Sequence, residues 1–144
     1  MTDPFTLSRF VKAQATHYEA ALAELAAGRK ESHWMWFIFP QLFGLGRSAM
    51  ADTYGISGLP EAQAYLAHPI LGPRLATCTR TVLDSEAASL TDLFGTPDDM
   101  KFRSCMTLFA LADGSADNLY QTALSRWCDG HPDRNTLILL KRQG

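Results

Sequence analysis

Trp34-Met35-Trp36-Phe37-Ile38-Phe39-Pro40 is an unbroken run of seven apolar positions. Such a run has no polar side to turn toward water, as helix or as strand, so the rest of the chain must enclose it. It is far shorter than the ~18–20 apolar residues of a membrane-spanning helix. Periodicity alone does not separate a buried helix from a buried strand here. Ser32 is a good N-cap residue and no partner strands are apparent elsewhere, so the reading is a helix from Ser32, stopped by Pro40.

The remaining segments read as helices. Thr6 is placed to cap a first long helix, with Phe5 and Phe10 as a hydrophobic staple and Gly28 as its end. Leu7, Phe10, Val11, Tyr18, Ala21, Leu22 and Leu25 recur along it at helical spacing, with Gln14 inside the apolar stripe. Gln41–Arg47 is a loop, Ser48–Tyr54 a short helix closed by Gly55, and Glu61–His68 another with Pro60 in its first turn. Ile70–Ser85 and the turn Thr91–Phe94 follow. Thr96-Pro97-Asp98-Asp99 is the clearest start signal: a cap, a proline at the first position, and two carboxylates for the positive end of the helix dipole. Ser115–Cys128 and Arg134–Lys141 complete the chain. The expectation is one all-α domain over 1–144, a bundle of about seven to nine mostly short helices.

With 144 residues, 47% of them hydrophobic, the chain can bury a sizeable core without a metal or disulfide staple. The net charge of −2 argues against a sequence-independent nucleic-acid binder. MTDPFTLSRF lacks the basic-then-apolar pattern of a signal peptide, so a cytoplasmic protein is expected. Cys78, Cys105 and Cys128 are odd in number and far apart, which suits buried thiols rather than disulfides. The histidines lack metal-ligand spacing, and neither metal nor cofactor is expected.

Residues with chemical potential gather in two places. Gly44-Leu45-Gly46-Arg47-Ser48 leads into a helix start, where glycines permit close approach and backbone N–H groups suit an anion. Arg47 adds a fork for phosphate or carboxylate. His33 beside Trp34 and Trp36 is a candidate acid or base, and the indoles are candidate stacking surfaces. In the second place, Lys101, Arg103 and Ser104 follow Asp98 and Asp99 on one helix. Asp98 and Lys101, three apart, can pair on the surface.

These stretches also carry a resemblance. Residues 32–41, 44–48, 54–56, 64–75 and 98–109 resemble the bacterial family called domain of unknown function 1810, over roughly Phe5 to Leu140. The resemblance implies a compact helical fold and no particular reaction. Lys101-Phe102 and the apolar helix after it are similar to the Lys-Phe helix of the NADAR (YbiA-like) proteins, which act on ADP-ribosyl and related N-glycosides.

The functional expectation is therefore binding or hydrolysis of a phosphorylated sugar or nucleotide. His33 and Asp99 would transfer protons, and Gln14, Trp36, Gly44, Gly46, Arg47, Ser48 and Lys101 would bind the ligand. The alternative is a non-catalytic protein-interaction module, suggested by Leu137-Ile138-Leu139-Leu140, four apolar residues that cannot all face one core.

Overall fold

The computed structural model describes residues 3–143. Among them are ten helices: α1 (Ser8–Ala15), α2 (Tyr18–Ala26), α3 (Met35–Ile38), α4 (Ala49–Tyr54), α5 (Leu59–Ala67), α6 (Leu71–Leu83), α7 (Leu90–Phe94), α8 (Asp98–Asp113), α9 (Leu119–Trp127) and α10 (Arg134–Gln143). The all-α expectation holds, with one helix more than the upper expected number. No described helix is long and apolar enough to cross a membrane.

The extra element arises because the first helix divides. The His17 N–H reaches Gln14 O, three residues back instead of four, and His17 Nδ1 lies 3.0 Å from Ala13 O. That carbonyl is the one a continuing helix would give to the His17 N–H, so the ring competes with the ladder and α2 restarts at Tyr18.

The centre of the molecule is α8. Its residues Ser104 to Phe109 are buried without interruption, and α5, α7, α9 and α10 all pack against it. The apolar run enters this core as the single turn of α3. Trp34, Met35, Phe37, Ile38 and Phe39 are buried, and Trp36 alone is half-buried. Phe39 meets Phe94 and Phe102 edge-on, at 5.8 and 5.1 Å between ring centres, which binds α3, α7 and α8 into one aromatic cluster.

Three expected caps differ. Ser32 does not cap α3; its hydroxyl donates to the Glu24 carboxylate, which also accepts from the N–H groups of Glu31 and Ser32 and from Trp34 Nε1. Thr6 sits at positive φ, and the first turn of α1 is capped by Asp3, which accepts from Leu7 and Ser8 N–H at 2.7 and 3.0 Å. Thr96 does not cap α8: Pro97 takes the cap position with no side-chain bond, and the Thr96 hydroxyl donates to Asp99 Oδ2. Only at α1 does a carboxylate take the cap in place of the hydroxyl; Ser32 and Thr96 instead donate their hydroxyls to a carboxylate.

Two close approaches set the remaining geometry. A Cβ on Gly72 would lie 2.1 Å from Leu66 O, so only glycine lets the start of α6 reach the end of α5. Leu42 and Ile56 form an isolated parallel bridge, with Phe43 N donating to Ile56 O at 2.8 Å and Ile56 N to Gln41 O at 3.0 Å. The bridge closes residues 41–56 into a loop that carries α4.

Candidate functional site

The Leu42–Ile56 bridge folds the loop back so that Ala51, Tyr54 and Gly55 face α3 and the first turns of α8. A narrow cleft with about 10 Å³ of free space opens there, lined by Trp36, Gln41, Tyr54 and Lys101 together with Met35, Phe39, Ala51 and Gly55. It brings Trp36 of the apolar run beside Lys101 of α8, while no residue of Gly44–Ser48 lines it. Lys101 reaches it because α8 begins beside α3, with Lys101 one turn in. Its ammonium lies 5.2 Å from the centre of the Trp36 ring.

Charge around the cleft is unbalanced. Asp98 gives Oδ2 to Lys30 at 2.9 Å and Oδ1 to Lys101 at 3.5 Å. Two ammonium groups thus share one carboxylate, leaving a net single positive charge. Lys30 is the nearer partner and is almost enclosed, held also by Ser32 O and the Trp34 ring. The uncompensated charge therefore rests on Lys101, the partner that opens to the cleft.

The loop wall has its own logic. Gly46 is required for contact within the protein: a Cβ there would meet Ala51 Cβ at 2.5 Å and approach Gln41 Nε2 at 3.4 Å. Gly44 adopts φ +100°, and its added Cβ would find only Leu139 at an ordinary distance. Ser48 caps α4 as expected, its Oγ accepting from Ala51 N at 3.1 Å. Arg47 is exposed, one residue beyond the contact that Gly46 makes with the cleft wall.

Of the nine expected site residues Trp36 and Lys101 line the cleft; Gly44, Gly46, Arg47 and Ser48 lie in the adjoining loop outside its lining, and the other three lie elsewhere. His33 is exposed and does not line the cleft. Gln14 is buried, its amide donating to Phe37 O at 2.7 Å and to the Tyr65 hydroxyl at 3.2 Å, so it joins α1 to α3 and α5. Asp99 points away from Lys101, accepting from the Thr91 and Thr96 hydroxyls at 2.7 and 3.3 Å. It borders a second cleft with Arg103, Trp127 and His131. Two positions along a helix are about half a turn apart, which sends Asp99 and Lys101 to opposite sides of α8.

The thiols follow burial only in part. Cys78 and Cys105 are buried, and desolvation pushes the Cys78 thiol up to about 12. Cys128 is half-buried at the end of α9; burial raises its pKa and the nearby Arg103 charge partly opposes that. In the C-terminal apolar run, Leu137 and Ile138 are exposed while Leu139 and Leu140 pack against the core. No group of His, Cys, Asp and Glu among the described residues is arranged to hold a metal.

Sequence reading did not single out Arg9, which organises the loop from the far side. Its guanidinium donates to Thr53 O at 2.8 Å, Gly55 O at 3.0 Å and Glu61 Oε2 at 2.8 Å. Glu61 is 3% exposed, and its other oxygen takes the Ser57 N–H and hydroxyl. The only sequence trace of this network is a pair of charged residues flanked by apolar positions.

A family model described as "Protein of unknown function (DUF1810)" matches residues 4–140. The chain belongs to the DUF1810 family. The crystal structure of the conserved hypothetical protein Rv1873 from Mycobacterium tuberculosis is similar to it, with 52% identity and a TM-score of 0.93, covering 96% of this chain and 99% of that one. No curated protein matches. These matches support the DUF1810 resemblance and not the likeness to the NADAR proteins. In this DUF1810 chain Phe102 is enclosed in the aromatic cluster with Phe39 and Phe94, and a core packing role accounts for it.

Proposed function

We propose that this DUF1810 domain binds a small phosphorylated ligand, a sugar phosphate or nucleotide, at the Trp36–Lys101 cleft. The observation that carries the reading is the surplus positive charge: Asp98 is shared by Lys30 and Lys101, and Lys101 opens onto an aromatic-walled cleft. An anion there gains a charge-assisted hydrogen bond from a partly desolvated ammonium. Gln41 offers an amide at the same wall.

The size of the cleft limits what enters. Its free space of about 10 Å³ is room for about one water and lies far below the ~300 Å³ at which small-molecule sites usually begin. A phosphoryl group therefore rests at its mouth, on the Lys101 ammonium beside the Trp36 ring, and does not enter it. Among the described residues no carboxylate or imidazole lines the cleft. The reading is therefore of binding, and hydrolysis with His33 and Asp99 as proton-transfer groups has no support at this place.

The test is a thermal-shift series with inorganic phosphate, ribose 5-phosphate and ADP-ribose. A ligand at about a hundred times its Kd stabilises by ~2.7 kcal/mol. The phosphorylated sugars should raise Tm, and Lys101→Met should abolish the rise. No rise with any of the three would overturn the reading.

A second reading has its own observation. Leu111, Leu137 and Ile138 are exposed by 45%, 38% and 37%, and Leu111 and Leu137 border one groove between α8, α9 and α10. A protein-interaction module would use that face, and a partner-dependent loss of accessibility there would favour it.

A further inference from the structure

Asp99 and Arg103 stand four residues apart on α8, the spacing at which opposite charges ordinarily pair. Among the described residues no ion pair joins them. Each is held by something else. The Thr91 and Thr96 hydroxyls donate to Asp99 Oδ2, and the Met100 N–H donates to Oδ1. Arg103 turns its Nε to His131 O at 2.8 Å. Both side chains nevertheless border the same cleft, a space of about 320 Å³ between the starts of α7 and α8 and the end of α9. Leu90, Met100 and Trp127 supply its apolar walls.

The result is a cleft with a carboxylate and a guanidinium fixed apart instead of neutralising each other. Arg103 keeps both Nη groups for a bidentate contact, and a carboxylate such as that of Asp99 accepts up to about four hydrogen bonds, one more than it receives. Asp129 adds a second negative charge at the rim. A ligand that matches this pattern carries its own ammonium and carboxylate, separated by a short span, together with an apolar substituent.

We propose that this cleft is a binding site for a free α-amino acid with an apolar side chain. The ammonium meets Asp99, the carboxylate meets the Arg103 fork, and the side chain lies against Leu90, Met100 and Trp127. Asp99, expected from sequence to transfer a proton, is here a recognition group for a cation. The site is separate from the Trp36–Lys101 cleft and stands whether or not that cleft takes a phosphate.

The experiment is a calorimetric titration of the full chain with L-leucine, alongside 4-methylpentanoate, which lacks the ammonium, and isopentylamine, which lacks the carboxylate. N-acetyl-leucine and leucinamide test whether a blocked residue, as in a peptide, is accepted. L-leucine should bind, and each of the four analogues should bind at least about tenfold more weakly. Arg103→Gln and Asp99→Asn should each weaken leucine by a similar factor, and Lys101→Met should leave it unchanged. The analogue series needs no variant, so it decides the matter even if Asp99→Asn loosens the start of α8. Failure of leucine to bind at millimolar concentration, or equal binding of the acid, the amine or a blocked form, would overturn the proposal.

Discussion

The Lys101 ammonium sits 5.2 Å from the centre of the Trp36 ring, and the same ammonium is only 3.5 Å from Asp98 Oδ1. Asp98 belongs more closely to Lys30, at 2.9 Å. The cation that faces the cleft is thus the weaker partner of a shared carboxylate. This arrangement explains how a chain of net charge −2 presents a local positive site.

Changing Asp98 should separate the two lysines. Asp98→Asn leaves Lys30 nearly enclosed without its carboxylate, and losing one partner of a buried pair costs about 3–5 kcal/mol. Lys30 keeps Ser32 O and the Trp34 ring, so the lower end of that range is expected. Lys101→Met removes a more exposed cation and should cost under about 1 kcal/mol. Urea unfolding midpoints of the two variants compare these losses.

Glu24 should make the fold sensitive to acid. Burial alone would raise its pKa, but the Ser32 hydroxyl, the Glu31 and Ser32 N–H groups and the Trp34 indole outweigh that and lower it to about 2, from 4.5. A carboxyl with a depressed pKa stabilises the folded state fully above its unfolded value. The contribution fades as pH falls from 4.5 toward 2. Between pH 6 and pH 3 the wild-type chain should lose about 1–2 kcal/mol more than Glu24→Gln, after allowance for solvent screening. Equal losses in the two proteins would show that Glu24 does not anchor the Ser32–Trp34 turn.

The Arg9–Glu61 pair should be structural. Arg9→Met strips the buried Glu61 of its partner and releases the carbonyls of Thr53 and Gly55, so a loss of about 3–5 kcal/mol is expected. Because Gly55 lines the cleft, the same variant should also weaken ligand binding there. Chemical denaturation and the thermal-shift series read the two effects.

Gly72→Ala should be among the most damaging single-atom-group additions. The new methyl would require α5 and α6 to separate near Leu66, and overpacking of this kind costs about 1–3 kcal/mol. Gly95→Ala makes a useful contrast, since nothing lies within 4 Å of a Cβ there and only its φ of +76° resists substitution. A smaller loss of Tm in Gly72→Ala than in Gly95→Ala would contradict the packing argument.

The helical class, the enclosure of the Trp34–Phe39 run and most helix positions were legible because each rests on local pattern. Apolar spacing, the Ser48 cap and the Gly28 end needed no knowledge of distant residues. Three caps were misassigned, each beside a carboxylate. Asp3 takes the N–H groups that Thr6 was placed to cap, whereas the Ser32 and Thr96 hydroxyls donate to Glu24 and Asp99, and for Glu24 that meeting depends on the tertiary fold. The site was partly legible. Trp36 and Lys101 do meet, but residue type alone could not tell that Gln14 is spent inside the core or that Gly46 serves contact with Ala51. The side of α8 on which a residue falls separates Asp99 from Lys101. That follows from helical geometry alone, since both residues lie within the helix read from the sequence.

The central claim is that a phosphoryl group is held at Lys101 beside Trp36. An amide and indole NMR titration with ribose 5-phosphate tests it most directly. The account expects saturable shifts at the Trp36 indole, Gln41, Gly46–Ala51 and Lys101, lost in Lys101→Met, with the Trp127 indole unmoved. Absence of shifts at Trp36 and Lys101, or shifts that persist unchanged in Lys101→Met, would contradict it.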